Sequence, residues 1–266
     1  MLQKLISVDI HRSGRMAPPN LGKPHNNKEL GKMKTFSVMF LAVVLALVMA
    51  PAASAETKGA FYVTPKLGFS NMTAKVEGES ESKNVVPFGL AFGYDFNPVR
   101  VELEYAYRGK KEFASGTQED APLYSWPERT LLGHSNVSYK DKLGVQSFFL
   151  NGYYDIHNSS SITPYAGLGL GFGKVSYEAS YVISDEPVTH QKDVPLSFSG
   201  SKTKFAWNIG AGAAWQLSDL MALDLGYRYA DFGKFSAVEN SNNWRLEANN
   251  VKTSAHDVML GLRFSF

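Results

Sequence analysis

The sequence contains no cysteine, which excludes disulfide frameworks, thiolate nucleophiles and metal sites built on cysteine. It also has little excess charge, because 27 basic side chains stand against 25 acidic ones and the net charge is +2 at pH 7. This balance offers no basic patch to a nucleic acid, so we expect no nucleic-acid partner. The histidines follow no metal-ligand spacing such as H-x-x-x-H, and we therefore expect neither a metal nor a cofactor.

A hydrophobic run long enough for a transmembrane helix is also missing. The longest apolar run, Phe36–Met49, lies within MKTFSVMFLAVVLALVMAPAASA at residues 33–55, whereas a bilayer-spanning helix needs about 20 apolar residues. Lysines precede the run, Pro51 breaks it, and Ala-Ser-Ala at 53–55 is a pattern that signal peptidase recognises. We interpret residues 33–55 as a signal peptide that is cleaved after Ala55.

The segment before this signal peptide has no apolar periodicity. Since signal peptides normally start at the N-terminus, Met33 is the expected initiator and residues 1–32 are expected to be an over-extended, disordered start of the reading frame. The alternative is an unusually long basic region of the signal peptide. Either interpretation leaves residues 56–266 for a folded barrel domain.

A helical period is absent after residue 56, and a period of two replaces it in eight segments. In the clearest of them Val101, Leu103 and Tyr105 alternate with Glu102 and Glu104, which is typical of strands with two different faces. Tight connections alternate with long polar ones around 71–83, 108–142, 177–201 and 233–254. Short turns at one end and long loops at the other are typical of outer-membrane barrels. The pattern predicts an all-β fold, an eight-stranded antiparallel up-and-down transmembrane β-barrel.

Charged side chains recur on one face of these segments. In hydrocarbon each would cost a few kcal/mol, so this face must point inward, where opposite charges can pair. We predict an interior charge network of Arg100, Glu102, Glu104, Asp224, Arg228, Asp257 and Arg263. An eight-stranded barrel has room only for side chains, which favours a filled interior over a narrow ion path.

Several motifs resemble a known family. TPYAGLGLGFG, FAWNIGAGAAWQLSDLMALDLGYRYADFG and the final DVMLGLRFSF resemble the opacity-type, OmpA-like small outer-membrane proteins of Gram-negative bacteria. The resemblance covers roughly residues 59–266. It implies an eight-stranded barrel in the outer membrane, in contact with its lipid and lipopolysaccharide. It also implies insertion by the barrel-assembly machinery, with Phe264 and Phe266 as the assembly signal.

The long loops carry the functional hypothesis. Tyr124 and Trp126 stand between two prolines in APLYSWPER, and aromatic side chains often anchor interfaces. They are candidates for contact with a host molecule or another envelope component, or equally for packing on the barrel rim. We predict a surface protein with a structural or interaction role, adhesin-like or antigen-like. A narrow nonspecific channel is the first alternative and a lipid-modifying enzyme the second.

The loops contain a few histidine, serine and aspartate residues that could in principle form a catalytic site. His134 and Ser135 lie near Asp141 in the second long loop, and His190 lies near Asp185 in the third. Nothing in the sequence gives these residues the mutual geometry that a nucleophile and its base require. We therefore expect that the protein is not an enzyme.

Overall fold

A computed structural model describes residues 11–13, 59–76, 79–126, 130–185, 192–241 and 244–266. The strands in these ranges are β1 His11–Ser13, β2 Ala60–Val76, β3 Glu79–Val85, β4 Pro87–Asp95, β5 Val99–Trp126, β6 Leu131–Asp155, β7 Ile162–Ser184, β8 Asp193–Ser218, β9 Met221–Ser241 and β10 Trp244–Ser265. No helix in the described ranges is long and apolar enough to cross a bilayer.

Strands β2 to β10 form a closed antiparallel sheet in chain order. β10 pairs with β9 on one side and with β2 on the other, and the β10–β2 pairing closes the barrel. β3 and β4 both pair with β2 and are separated only by Val86, so they form two halves of one barrel strand. Eight strands thus surround the barrel, and the predicted all-β, eight-stranded antiparallel barrel is confirmed.

The outward face of every barrel strand carries exposed apolar side chains. One example from each strand is Leu67, Leu90, Val101, Leu150, Leu168, Ile209, Leu225 and Leu260, each between 37% and 61% exposed. We call this outward apolar band the lipid belt. An apolar outer band with a polar interior is the arrangement that a transmembrane barrel requires.

The long polar connections are mostly strand where the structure describes them, which corrects their interpretation as loops at 71–83, 108–142, 177–201 and 233–254. β5 has 28 residues, β6 has 25, β7 has 23 and β8 has 26, whereas crossing a bilayer takes about 9–11. The strands therefore continue far above the lipid belt as two long hairpins, β5–β6 and β7–β8. Register shifts interrupt the β5–β6 pairing at several points between Arg108 and Tyr124.

The barrel divides into two sheets above the membrane. The β4–β5 pairing ends at Pro87–Arg108, and the β8–β9 pairing ends at Trp207–Asp231. Beyond these points β5 to β8 continue as one sheet, while β9, β10, β2 and β3 continue as the other. β1 pairs with the upper ends of β5 and β10.

The predictions for the front of the chain fall largely outside the described residues. The signal peptide at 33–55 and its cleavage after Ala55 lie outside them and remain predictions. β1 lies within the stretch that we expected to be disordered. That residues 1–32 are an over-extended start remains a prediction as well.

Candidate functional site

The seven charged residues predicted for the interior are all buried in the barrel lumen. Three further charged side chains join them: Lys66, Arg108 and Asp155. The resulting lumen network has five cations, Lys66, Arg100, Arg108, Arg228 and Arg263, and five anions, Glu102, Glu104, Asp155, Asp224 and Asp257. Its formal charge is therefore zero, which lowers the cost of placing so many charges away from water.

Six of the ten charges form one chain across the lumen, in which cations and anions alternate. It begins with Arg108, which donates to Asp257, and Arg228 Nε donates to the same carboxylate at 2.9 Å. Arg228 also donates to Glu104. Lys66 Nζ then lies 2.6 Å from Glu104 and 2.5 Å from Glu102.

The other four charges form two separate pairs nearer the short turns. Arg100 Nε lies 2.8 Å from Asp155 Oδ2, and Arg263 Nε lies 3.4 Å from Asp224 Oδ2. The Arg100 guanidinium also stacks on two tyrosine rings, 5.0 Å from the Tyr153 centroid and 4.9 Å from that of Tyr165. Cation–π contacts of this kind help to stabilise a partly desolvated guanidinium.

Glycine makes room for the large side chains of the network. A Cβ built on Gly93 would lie 2.3 Å from the Tyr62 ring, and one built on Gly167 would lie 2.3 Å from the Tyr153 ring. Both tyrosine rings lie against bare backbone on the neighbouring strand. The glycine-rich strands are therefore part of the packing of the interior.

The lumen network surrounds a small cavity. A cavity of about 50 Å³ lies among network residues such as Lys66, Glu102 and Arg228, which is room for a few water molecules. Above it, apolar side chains from all around the barrel, including Met72, Phe232 and Val251, form a buried cluster. Charge pairing below and apolar packing above both favour a closed lumen.

We expect no steady ion conductance from the protein in planar lipid bilayers, because the paired charges and the apolar cluster fill the lumen. The measurement is single-channel current with the purified protein, compared with Arg100→Ala and Arg228→Ala variants. Stepwise wild-type currents that change in size in these variants would instead support the channel alternative.

The extracellular hairpins contain a second apolar cluster of their own. It is built from the upper parts of β5 to β8 by Ala121, Leu123, Val137, Ala179, Tyr181, Ile183, Leu196 and Phe198, all at most 5% exposed. Asp141 lies beside it and accepts a hydrogen bond from Tyr181 Oη at 3.2 Å. Loss of hydration by burial raises the pKa of the Asp141 carboxyl to about 7. These hairpins thus have a packed interior.

The predicted loop-contact residues lie at the far end of the first hairpin. Tyr124 is half-buried near the end of β5 and its backbone pairs with Leu131, while Trp126 is the last residue of the strand. This position is far above the lipid belt, because β5 leaves the membrane near Tyr107. Tyr124 therefore lies outside the interfacial region that an aromatic girdle occupies.

The residues considered for catalysis do not converge where the structure describes them. His134 and Ser135 are adjacent on β6 and point to opposite faces. Ser135 Oγ donates a hydrogen bond to the Ser184 carbonyl, and the Asp141 carboxylate accepts one from Tyr181 Oη. His190 lies outside the described residues. Within the described ranges, no three histidine or carboxylate side chains are grouped as metal ligands.

The proposed assembly signal lies at the seam of the barrel. Phe264 is opposite Val63 on β2 and Met221 on β9. Phe266 donates its backbone N–H to the Phe61 carbonyl at 2.9 Å. Its ring is 66% exposed, with its centroid 6.5 Å from that of Phe61. The last residue of the chain is thus part of barrel closure.

The sequence profile of one family, the outer membrane protein beta-barrel domain, matches residues 40–264. The chain belongs to this family. Its barrel with an apolar outer face agrees with that assignment, and the protein is an outer-membrane protein, as predicted. The resemblance to small Gram-negative outer-membrane barrels is likewise confirmed.

Several known proteins are similar to this chain. The outer membrane protein PagN of Salmonella typhimurium is 31% identical over 258 residues, covering 88% of this chain and 100% of the relative. A candidate adhesin of Rickettsia conorii is 28% identical, but the match covers 49% of this chain and 51% of that protein. Neisserial surface protein A superposes with a TM-score of 0.41 at 18% identity, covering 77% of this chain and 97% of that structure.

Three members of the lumen network were missing from the sequence prediction. The alternation places Arg108 and Asp155 on the inward faces of their strands, as it does the seven predicted residues, so the signal that would have added them is present in the sequence. Lys66 also lies on the inward face of its strand, yet no charge beside it in the sequence signals its role. Its partners Glu102 and Glu104 come from β5, which is separated from β2 by β4.

Proposed function

We propose that the protein acts as an adhesin-like surface protein, and that its binding surface is the tip of the β5–β6 hairpin around Tyr124 and Trp126. The observation that carries this proposal is the folded extension above the membrane. A strand of 28 residues and its own buried apolar cluster hold the hairpin tip away from the bilayer. The similarity to PagN and to an adhesin candidate supports a role at the surface.

The barrel itself serves as an anchor in this proposal. The lumen network is neutral and its charges are satisfied mainly by one another, so it offers little to an external ligand. The hairpins are the part of the protein with area available to a partner outside the cell. Insertion by the barrel-assembly machinery and contact with a host molecule both belong to the proposal.

Adhesion can be tested with a non-adherent bacterium that expresses the protein, by counting cells bound to an epithelial monolayer. Tyr124→Ala combined with Trp126→Ala should reduce adhesion about tenfold or more, since aromatic anchors commonly contribute 2 kcal/mol or more, roughly, to an interface. Barrel integrity is followed in parallel by heat-modifiable migration on gels.

A matched control exists on the same hairpin. Thr117 and Ser138 form an exposed hydroxyl pair at 2.9 Å between β5 and β6, and changing both to alanine should leave adhesion unchanged. Wild-type adhesion of the Tyr124/Trp126 variant, at equal surface levels, would show that the tip is not the binding surface.

A further inference from the structure

Three lysines lie directly opposite one another on three neighbouring strands. Lys252 of β10 is opposite Lys75 of β2 on one side and opposite Lys234 of β9 on the other. Their sequence neighbours Ala74, Thr253 and Phe235 are buried inward, so the lysines project from the outer surface. We call Lys75, Lys252 and Lys234 the lysine row.

The lysine row lies just above an aromatic patch at the upper edge of the lipid belt. The rings of His256 and Tyr229 are tilted against each other with centroids 5.2 Å apart, and Tyr229 packs edge-on against Trp207 at 5.6 Å. Aromatic side chains of this kind mark the membrane–water interface. Lys252 is four residues above His256 on β10, or about 13 Å along the strand at roughly 3.3 Å per residue. The row is therefore level with the polar groups of the outer leaflet.

A bulge in β9 is what brings Lys234 into this row. The pairing with β10 shifts by one residue between Asp231–Ser254 and Lys234–Lys252. At the bulge Gly233 has φ of 75°, and its N–H donates to Asp231 Oδ1 at 2.8 Å. Without the extra residue the alternation would turn Lys234 inward, because a shift of one position exchanges the two faces of a strand.

The charges of the lysine row are poorly compensated. Like charges directly opposite each other destabilise a sheet. Among the described residues, Asp231 is the one carboxylate within ion-pair distance of the row, 3.0 Å from Lys252 Nζ. Lysines on the opposite side of the barrel differ, since Lys110 pairs with Glu178 at 2.6 Å and Lys140 with Glu112 at 2.9 Å.

We propose that the lysine row binds the phosphate groups of lipopolysaccharide in the outer leaflet. The three ammonium groups lie on the outer surface of the barrel at the height of the lipid headgroups. Their positive charges are complementary to the negative charges of the surrounding lipid. Lysine–phosphate contacts are charge-assisted and stronger than neutral hydrogen bonds. The backbone pairing of β8 with β9 ends at Asp231, and Lys234, three residues further along β9, is exposed.

The test uses the full chain purified in detergent free of lipopolysaccharide. Binding of fluorescent lipopolysaccharide is titrated for the wild type and for Lys75→Gln combined with Lys234→Gln, which leaves the Lys252–Asp231 pair in place. We expect about tenfold weaker binding, since each exposed charge contact changes affinity several-fold. The matched control, Lys110→Gln with Lys140→Gln, removes the same net charge and should stay within about twofold of the wild type.

Further arms identify the ligand. Lipopolysaccharide with its phosphates removed should bind the wild type as weakly as intact lipopolysaccharide binds the row variant. Inorganic phosphate alone should bind more weakly than the lipid, and equal affinity would overturn the assignment to a lipid. Equal losses in the two double variants would overturn the site. Binding of heparin, a sulfated polysaccharide, is measured as well. A row variant that binds lipopolysaccharide normally but loses heparin binding would also overturn the proposed lipopolysaccharide site. Heat-modifiable migration verifies that each variant is folded.

Discussion

Replacing Asp257 by alanine should destabilise the barrel by about 3–5 kcal/mol, the usual cost of leaving a buried charge without its partner. Asp257 is fully buried and accepts hydrogen bonds from both Arg108 and Arg228. Its loss would leave the lumen network with five cations and four anions. The measurement is the free energy of unfolding from urea titrations of the protein in lipid vesicles.

Two controls separate the charge effect from the loss of packing. Glu178→Gln removes an exposed partner of Lys110 and should cost less than about 1 kcal/mol. Adding Arg108→Leu to Asp257→Ala removes the unpaired charge and should restore part of the lost stability. If the double variant is less stable than Asp257→Ala alone, uncompensated charge is not the cause.

Deleting Phe266 should remove most of the protein from the cell surface. The resemblance to opacity-type barrels implies that the terminal aromatic residue is read by the assembly machinery. In the structure the same residue continues the β10–β2 seam through its hydrogen bond to Phe61. Both effects act on insertion, so surface labelling of intact cells should fall to a small fraction of the wild-type signal.

Phe96 provides the matched control for this deletion. It lies in the turn after β4 and is 61% exposed, close to the 66% of Phe266. Phe266→Ala should therefore lower surface levels while Phe96→Ala leaves them unchanged. Normal levels of the Phe266 deletion would mean that the last residue is not an assembly signal in this protein.

The membrane-spanning part of the fold follows from the sequence because one physical rule governs it. A strand with lipid on one side and packed charges on the other must alternate strictly, and Leu67, Leu168 and Leu260 all lie on the outer face as predicted. The seven charges assigned to the interior lie there for the same reason. Their pairing could not be derived, since partners such as Arg228 on β9 and Glu104 on β5 come from strands on opposite sides of the lumen.

The extracellular part of the β5–β6 hairpin could not be predicted from the sequence because the same rule no longer applies there. Above the lipid belt neither face of a strand must be apolar, so polar residues at 109–120 look like a loop. The register shifts between Arg108 and Tyr124 also change the phase of the alternation several times. The β7–β8 half of the buried cluster does carry a signal, because Ala179, Tyr181 and Ile183 keep a period of two on β7 and the β7–β8 pairing has no register shift.

The alternating charge chain has a further consequence for how the barrel acquires its correct strand alignment. Arg108 and Glu104 belong to β5, whereas Asp257 belongs to β10 and Lys66 to β2. If one strand slipped by a single residue, its charges would move to the lipid side, and a slip of two would place them beside the wrong partners. These pairs join strands from both sides of the β10–β2 seam. They therefore form, and stabilise the barrel, only when the barrel is closed with every strand in the correct register. The interior ion pairs thus select the correct strand register, because a misaligned barrel cannot form them.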